Sequence, residues 1–155
     1  MIKSGTPGTK NILANKGQEL IVFCGAPGSG KSSLWNLYFS DYTRVNNDTL
    51  KTKEKCMKVC EESLKKGESV VIDNTNPTAD VRARYLEIAK ELKVTARCIY
   101  FDIDKQTCFH NNFMRKANTH RNHLSKAVPG IPIHSFFKNH TEPEVSEGFK
   151  EVVKI

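Results

Sequence analysis

One eight-residue run, Gly25-Ala26-Pro27-Gly28-Ser29-Gly30-Lys31-Ser32, constrains this chain more than any bulk property, because it fits GxxxxGK[ST] at every fixed position. It follows Glu19 to Cys24, a short apolar run of buried-strand type, and it precedes a segment from Ser32 to Phe39 that carries Leu34, Trp35, Leu37, Tyr38 and Phe39. Strand, glycine-rich loop and helix in that order give the pattern a structural meaning. The glycines let backbone N–H groups converge on phosphate oxygens at a helix N-terminus. Gly25, Ala26, Pro27, Gly28, Ser29, Gly30, Lys31, Ser32 and Ser33 are therefore expected to bind the phosphates of ATP. Lys31 is expected to reach the β and γ phosphates, and the Ser32 hydroxyl to ligate Mg²⁺. The motif says nothing about what the nucleotide is used for.

The remaining chain alternates strands with helices. Tyr42 to Asn46 reads as a second strand, and Leu50, Met57, Val59, Cys60 and Leu64 predict one helix over Thr49 to Lys66, closed by Gly67. Ser69 to Asp73 is a third strand that ends on a carboxylate. Val81, Tyr85, Ile88, Ala89 and Leu92 share one helical face. Thr95 to Phe101 is a fourth strand, and Asp104 can cap a helix running to Lys116. Ala117 to Ile133 is polar and then punctuated by Pro and Gly, which suits a loop or lid, and His134 to His140 reads as a short helix. Such alternation predicts an α/β fold, a three-layer sandwich with a parallel central sheet, right-handed crossovers and a C-terminal lid. The 155 residues suit one domain over 18–155, preceded by a flexible tail over 1–17.

Charge sharpens the picture. Lys and Arg number 24 against 17 Asp and Glu, a formal +7. Lys105 to Thr141 contains no acidic residue, yet it holds Lys105, Arg115, Lys116, Arg121, Lys126, Lys138 and all five histidines. Almost the whole excess is local, which points to an anion site in the helix and lid. Cys24, Cys56, Cys60, Cys98 and Cys108 show no metal-ligand spacing and read as reduced, buried thiols. No apolar run approaches the roughly 18 residues of a membrane span, and no leader pattern is seen, so an intracellular chain without membrane contact is expected.

Two carboxylates need weighing. Asp48, just past the second strand, can face a γ-phosphate and accept a proton from an incoming hydroxyl, or it can simply cap the next helix. Asp73 can act as a second metal ligand with Ser32, or sit in a turn-rich exit. The residues alone leave both alternatives open.

Taken together, several segments resemble the kinase domain of the eukaryotic polynucleotide 5′-kinase/3′-phosphatase family and, more loosely, the bacteriophage polynucleotide kinases. They are Gly25 to Ser32, Val45-Asn46-Asn47-Asp48-Thr49-Leu50, Val71-Ile72-Asp73-Asn74-Thr75-Asn76-Pro77, Arg82-Ala83-Arg84-Tyr85, His110-Asn111-Asn112 and Glu147-Gly148-Phe149. The resemblance implies a P-loop kinase using ATP and Mg²⁺ on a nucleic acid with a 5′-OH end, DNA or RNA. It implies Asp48 as general base, Arg84 and Lys51 on the acceptor strand, and Arg115 as the lid arginine over the donor phosphates. A phosphatase domain elsewhere in the parent protein, a monomeric state, a nuclear location and a role in strand-break end repair come with it. The chain departs from the family at Asn47, where Arg is common, and near Phe113, where a second lid arginine is usual.

Asp102-Ile103-Asp104 has the look of a phosphatase Asp-x-Asp loop, but Gln106 stands where that motif wants Thr or Val; strand exit and helix cap are expected instead. The alternatives to the kinase of polynucleotides are a small-metabolite P-loop kinase and a nucleotide-dependent switch. The switch lacks an Asn-Lys-x-Asp guanine-reading tetrapeptide.

Overall fold

Leu20-Ile21-Val22-Phe23 can bury both of its faces, and the chain spends this run on the middle of its sheet. The computed structural model describes residues 17–117 and 130–155. Five parallel strands lie in the order β2-β3-β1-β4-β5: β1 Glu19–Cys24, β2 Thr43–Val45, β3 Val70–Ile72, β4 Thr95–Tyr100 and β5 Glu151–Lys154. Leu20 stands opposite Val70 of β3 on one side and Ala96 of β4 on the other. Side chains of a strand alternate between faces. Leu20, Val22 and Cys24 accordingly join one core cluster, whereas Ile21 and Phe23 join another.

The first cluster is roofed by α3 (Lys53–Lys65) and α4 (Ala79–Glu91), and it also takes Cys108 from α5 (Lys105–Ala117) and Ile133 and Phe136 from α6 (Gly130–Asn139). The second lies under α1 (Lys31–Tyr38), where Leu34, Trp35 and Tyr38 pack on Phe23 and its neighbours. The parallel three-layer α/β architecture expected from the alternation is the one present. At the N-terminal end of the sheet, Glu19 is fully buried and takes Arg97 Nε at 2.6 Å, while Arg97 also reaches Glu151 at 3.2 Å and Tyr42 donates its hydroxyl to Glu19. Pairing and hydrogen bonding make such a buried carboxylate tolerable.

Three boundaries differ from expectation. The single helix over Thr49 to Lys66 is two: α2 (Asn47–Leu50) ends at Lys51, whose φ of 78° leaves the helical region, and α3 restarts behind Thr52, which accepts Lys55 N–H at 3.1 Å. Hydrophobic spacing continued across the break, so periodicity could not reveal it. β5 was not anticipated, because Glu-Val-Val-Lys is short and only Val153 is buried. α6 begins at Gly130, ahead of His134. The tail residues 1–16 and the centre of the expected lid, 118–129, lie outside the described residues.

Candidate functional site

In a parallel sheet the strand ends that face ligands lie along one edge. Here β1, β2 and β3 deliver Gly25–Ser32, Asn46–Asp48 and Asp73 to that edge. The loop after β1 curls back on itself, with Ser29 N–H on the Ala26 carbonyl at 3.1 Å, and Gly30, at φ 99°, starts α1. Lys31 is buried, and its Nζ donates to the carbonyls of Gly25 and Ala26 at 3.0 and 2.8 Å. Its ammonium therefore sits inside the curl.

Two glycines are dictated by close approach. A Cβ on Gly25 would lie 2.7 Å from Ser29 Oγ and 2.8 Å from Phe101 Cβ. Gly28 has φ 85°, and a Cβ there would lie 2.6 Å from the Cys108 carbonyl oxygen on α5. Asn111 of α5 donates to the Gly28 carbonyl at 2.7 Å, so that helix clamps the loop from outside.

Asp73 is 2% exposed, its Oδ2 accepting from Ser32 Oγ at 3.3 Å and from Arg44 Nε at 2.7 Å. The fit to magnesium can be tested on these atoms. A hydroxyl and a carboxylate are hard oxygen donors, and among the described residues no group of three or more His, Cys, Asp or Glu could hold a metal unaided. A pair of protein oxygens is what suits an ion that keeps waters and substrate phosphates as its other ligands. Ser29 Oγ, buried in the loop without a hydrogen-bond partner, is a polar atom that a phosphate oxygen would satisfy. The residues present fit both groups.

The segment carrying Asp48 is pinned to the same edge. Asn46 donates its side-chain amide to the Asp73 carbonyl at 2.6 Å, and Asn74 Oδ1 accepts Asn47 N–H at 2.7 Å. Asn46, not Asp48, is the N-cap of α2, accepting Thr49 N–H at 3.3 Å. Asp48 stands exposed in the first turn with its carboxylate uncommitted to capping.

Residues 20–129 match a family described as an AAA domain. The chain belongs to that family. A bifunctional polynucleotide phosphatase/kinase of Schizosaccharomyces pombe is 38% identical over all of this chain, which covers 38% of that protein. A putative bifunctional polynucleotide phosphatase/kinase of Acanthamoeba polyphaga mimivirus is 36% identical, over 87% of this chain and 32% of its own length. The chain thus spans about a third of the length of these two curated relatives, which are of the kind the motifs resemble. Among solved structures, a gluconokinase from Sinorhizobium meliloti superposes with a TM-score of 0.61 at 17% identity, covering 91% of this chain and 83% of that one. That likeness establishes the P-loop kinase-like fold.

The AAA domain brings together Lys31, Ser32, Asp73 and the segment of Asp48. Lys51 and Arg84 are different: Lys51 is exposed beyond α2, Arg84 is half-buried on α4, and among the described residues neither side chain makes a hydrogen bond or ion pair to this edge. Arg115 lies on α5 one turn after Asn111, and its side chain, like Lys116 and Arg121, falls outside what is described. Asp104 caps α5 through Thr107 N–H at 2.6 Å, and exposed Asp102 pairs with Lys154 at 3.4 Å, so the Asp-x-Asp segment is strand exit and cap as expected.

Sequence reasoning missed the wiring. Asn76, at φ 42° and buried, donates to the carbonyl of Phe23 at 2.6 Å, and Gly25 N–H donates to the Thr75 carbonyl at 3.1 Å. Arg82 is wholly buried, donating to the Asn76 carbonyl at 3.0 Å and holding Glu147 with Nε on Oε1 at 2.9 Å. Asn74, Asn76, Arg82 and Glu147 all lie in segments quoted for the resemblance, which was the available signal. Arg82 also donates to Cys24 Sγ at 3.6 Å, but burial dominates and pushes that thiol up to about 11, so it stays protonated at neutral pH. All five cysteines are buried and outside any disulfide.

Proposed function

We propose that this AAA domain transfers the γ-phosphoryl of ATP to the 5′-hydroxyl of a DNA or RNA end. One observation supports this above the rest: Asn46 and Asn74 fasten the start of α2 to the Asp73 strand end, so an uncommitted carboxylate shares one sheet edge with the phosphate loop. The names of the relatives favour a polynucleotide acceptor over a small metabolite.

The roles then divide by position. Gly25 to Ser33 bind the triphosphate through backbone N–H groups, and the Lys31 ammonium moves from its loop carbonyls to the β and γ phosphates. Ser32 Oγ and Asp73 hold Mg²⁺, which when bound neutralises phosphate charge and orients the donor. Asp48 accepts the proton of the attacking 5′-hydroxyl at a carboxylate oxygen. Lys51 and Arg84 position the acceptor strand, and Arg115 balances charge over the donor phosphates. A phosphatase domain in the parent protein, a nuclear location and a place in strand-break end repair belong to the same proposal.

Transfer of labelled γ-phosphate to matched DNA and RNA oligonucleotides, beside a panel of sugars and nucleosides, tests it. Label is expected on 5′-OH oligonucleotides and not on their 5′-phosphorylated counterparts. Label on small metabolites alone would overturn the acceptor assignment, and hydrolysis that no acceptor stimulates would overturn phosphotransfer itself.

A further inference from the structure

Arg44, on the edge strand β2, bridges the two oxygens assigned to magnesium, which also hydrogen-bond each other at 3.3 Å. Its Nε lies 2.7 Å from Asp73 Oδ2, its Nη2 lies 3.0 Å from Ser32 Oγ, and its guanidinium carbon sits 5.4 Å from the centroid of the Trp35 ring. The Asp73 side chain is 1% exposed and that of Arg44 30%. One partner is fixed in the interior; the other is a long side chain rooted in a three-residue strand and open to solvent along part of its length.

A buried carboxylate stripped of its partner is costly, so a cation beside Asp73 offsets its burial. The guanidinium does so with charge-assisted hydrogen bonds. A divalent cation held by Ser32 Oγ and Asp73 would do so too, but two like charges cannot share the same pair of oxygens within a few ångströms in a poorly solvated site. Either Arg44 or the metal has the pair.

We propose that Arg44 is a resident cation that competes with magnesium for Ser32 and Asp73, leaving its place over Trp35 when the metal binds, and so sets the magnesium concentration at which the domain takes metal-bound nucleotide. This rests on the reading of Ser32 and Asp73 as the magnesium pair; it is independent of the acceptor. It also gives Arg44 a task that no motif assigned to it. Trp35 is the one tryptophan in the chain, so the molecule carries its own reporter of where the guanidinium lies.

The experiment titrates MgCl2 into the full chain at fixed ADP and constant ionic strength, reading tryptophan emission and, in parallel, ADP affinity. For the unaltered protein, emission should shift as ADP binding tightens, with a common magnesium midpoint. Arg44→Met should lose the emission shift and reach its tightened ADP affinity at roughly tenfold lower magnesium, the scale of one charge-assisted hydrogen bond. Arg44→Lys, which keeps the charge but not the fork, should fall between them. Unchanged emission in the unaltered protein while ADP affinity responds to magnesium would overturn the proposal, and so would an equal midpoint in Arg44→Met. If magnesium leaves ADP affinity unchanged in all three proteins, the magnesium pair itself is misassigned and the inference falls with it. Loss of transfer to oligonucleotides would leave these results untouched.

Discussion

The residues proposed to hold the nucleotide, the donor half, and those proposed to meet the acceptor, the acceptor half, are built into the fold in opposite ways. Gly25 to Lys31 and Asp73 are largely buried, held by main-chain curls, by Asn76 on Phe23 and by Asn111 on Gly28. Asp48 and Lys51 are exposed on or next to a four-residue helix, and Arg84 lies half-covered on a separate one. A phosphate cradle needs fixed N–H directions, so its geometry is stored in the fold. A surface for a long, variable acceptor can stay open and act through charge.

That contrast can be broken at either side. The largest effect is expected at Asp48→Asn: turnover on a 5′-OH oligonucleotide falls about a thousandfold, within the range of a lost general base, while ADP affinity measured by calorimetry is unchanged. Turnover near that of the unaltered protein would show that the acceptor half holds no base at this position. Gly28→Ala attacks the donor half, where the new methyl meets a backbone oxygen at 2.6 Å and φ is 85°. ADP affinity should drop about a hundredfold, with little change in oligonucleotide binding by the folded protein. Next comes Glu147→Gln, which weakens the hold on Arg82 and thereby on the loop that serves both halves. Denaturant unfolding should register a loss of about 2 kcal/mol, and nucleotide and oligonucleotide binding should weaken together.

Smaller effects sharpen the picture. Lys51→Ala and Arg84→Ala should each raise KM for the oligonucleotide by about three- to tenfold and flatten its salt dependence, with ADP affinity intact. Weakened ADP binding in either would erase the division between the halves. The smallest effect is on pH. Cys24 and Cys60 are pushed from 9.0 to about 11 and about 12, first of all by burial. Between pH 9 and those values the unfolded chain gives up protons that the folded chain keeps, so stability is full below pH 9 and declines above it. Thermal unfolding from pH 8 to pH 11 should show Tm falling by several degrees, and replacing both thiols with Ala should reduce the slope even where it lowers Tm overall.

The geometry of the glycine-rich loop was legible from the sequence because it is written in residue types with few other uses: glycines at Gly28 and Gly30, where φ is positive, and a Lys-Ser pair opening a helix. The strands were legible for a similar reason, since Leu20 to Cys24 and Val70 to Ile72 are apolar on both faces, as inner parallel strands must be. The break at Lys51 was not, because a lysine with positive φ leaves no compositional trace. Nor were Arg82 and Arg44, whose importance lies in long-range partners, Glu147 at 65 residues' separation and Asp73 at 29. A single chain does not announce which of its arginines is buried. Arg84 drew notice by its motif, whereas Arg82, two residues away, is the one that the fold encloses.

The central place of β1 has a consequence for kinetics in solution. Its backbone is paired to β3 on one side and to β4 on the other, and every residue from Glu19 to Cys24 is buried. Deuterium can reach those amides only when the molecule opens as a whole, so their exchange rates will report global stability. The amides of α2, on a single exposed turn, will exchange through local fraying. Measured together on one sample, the two sets compare how readily the turn carrying Asp48 opens with how rarely the central strand does.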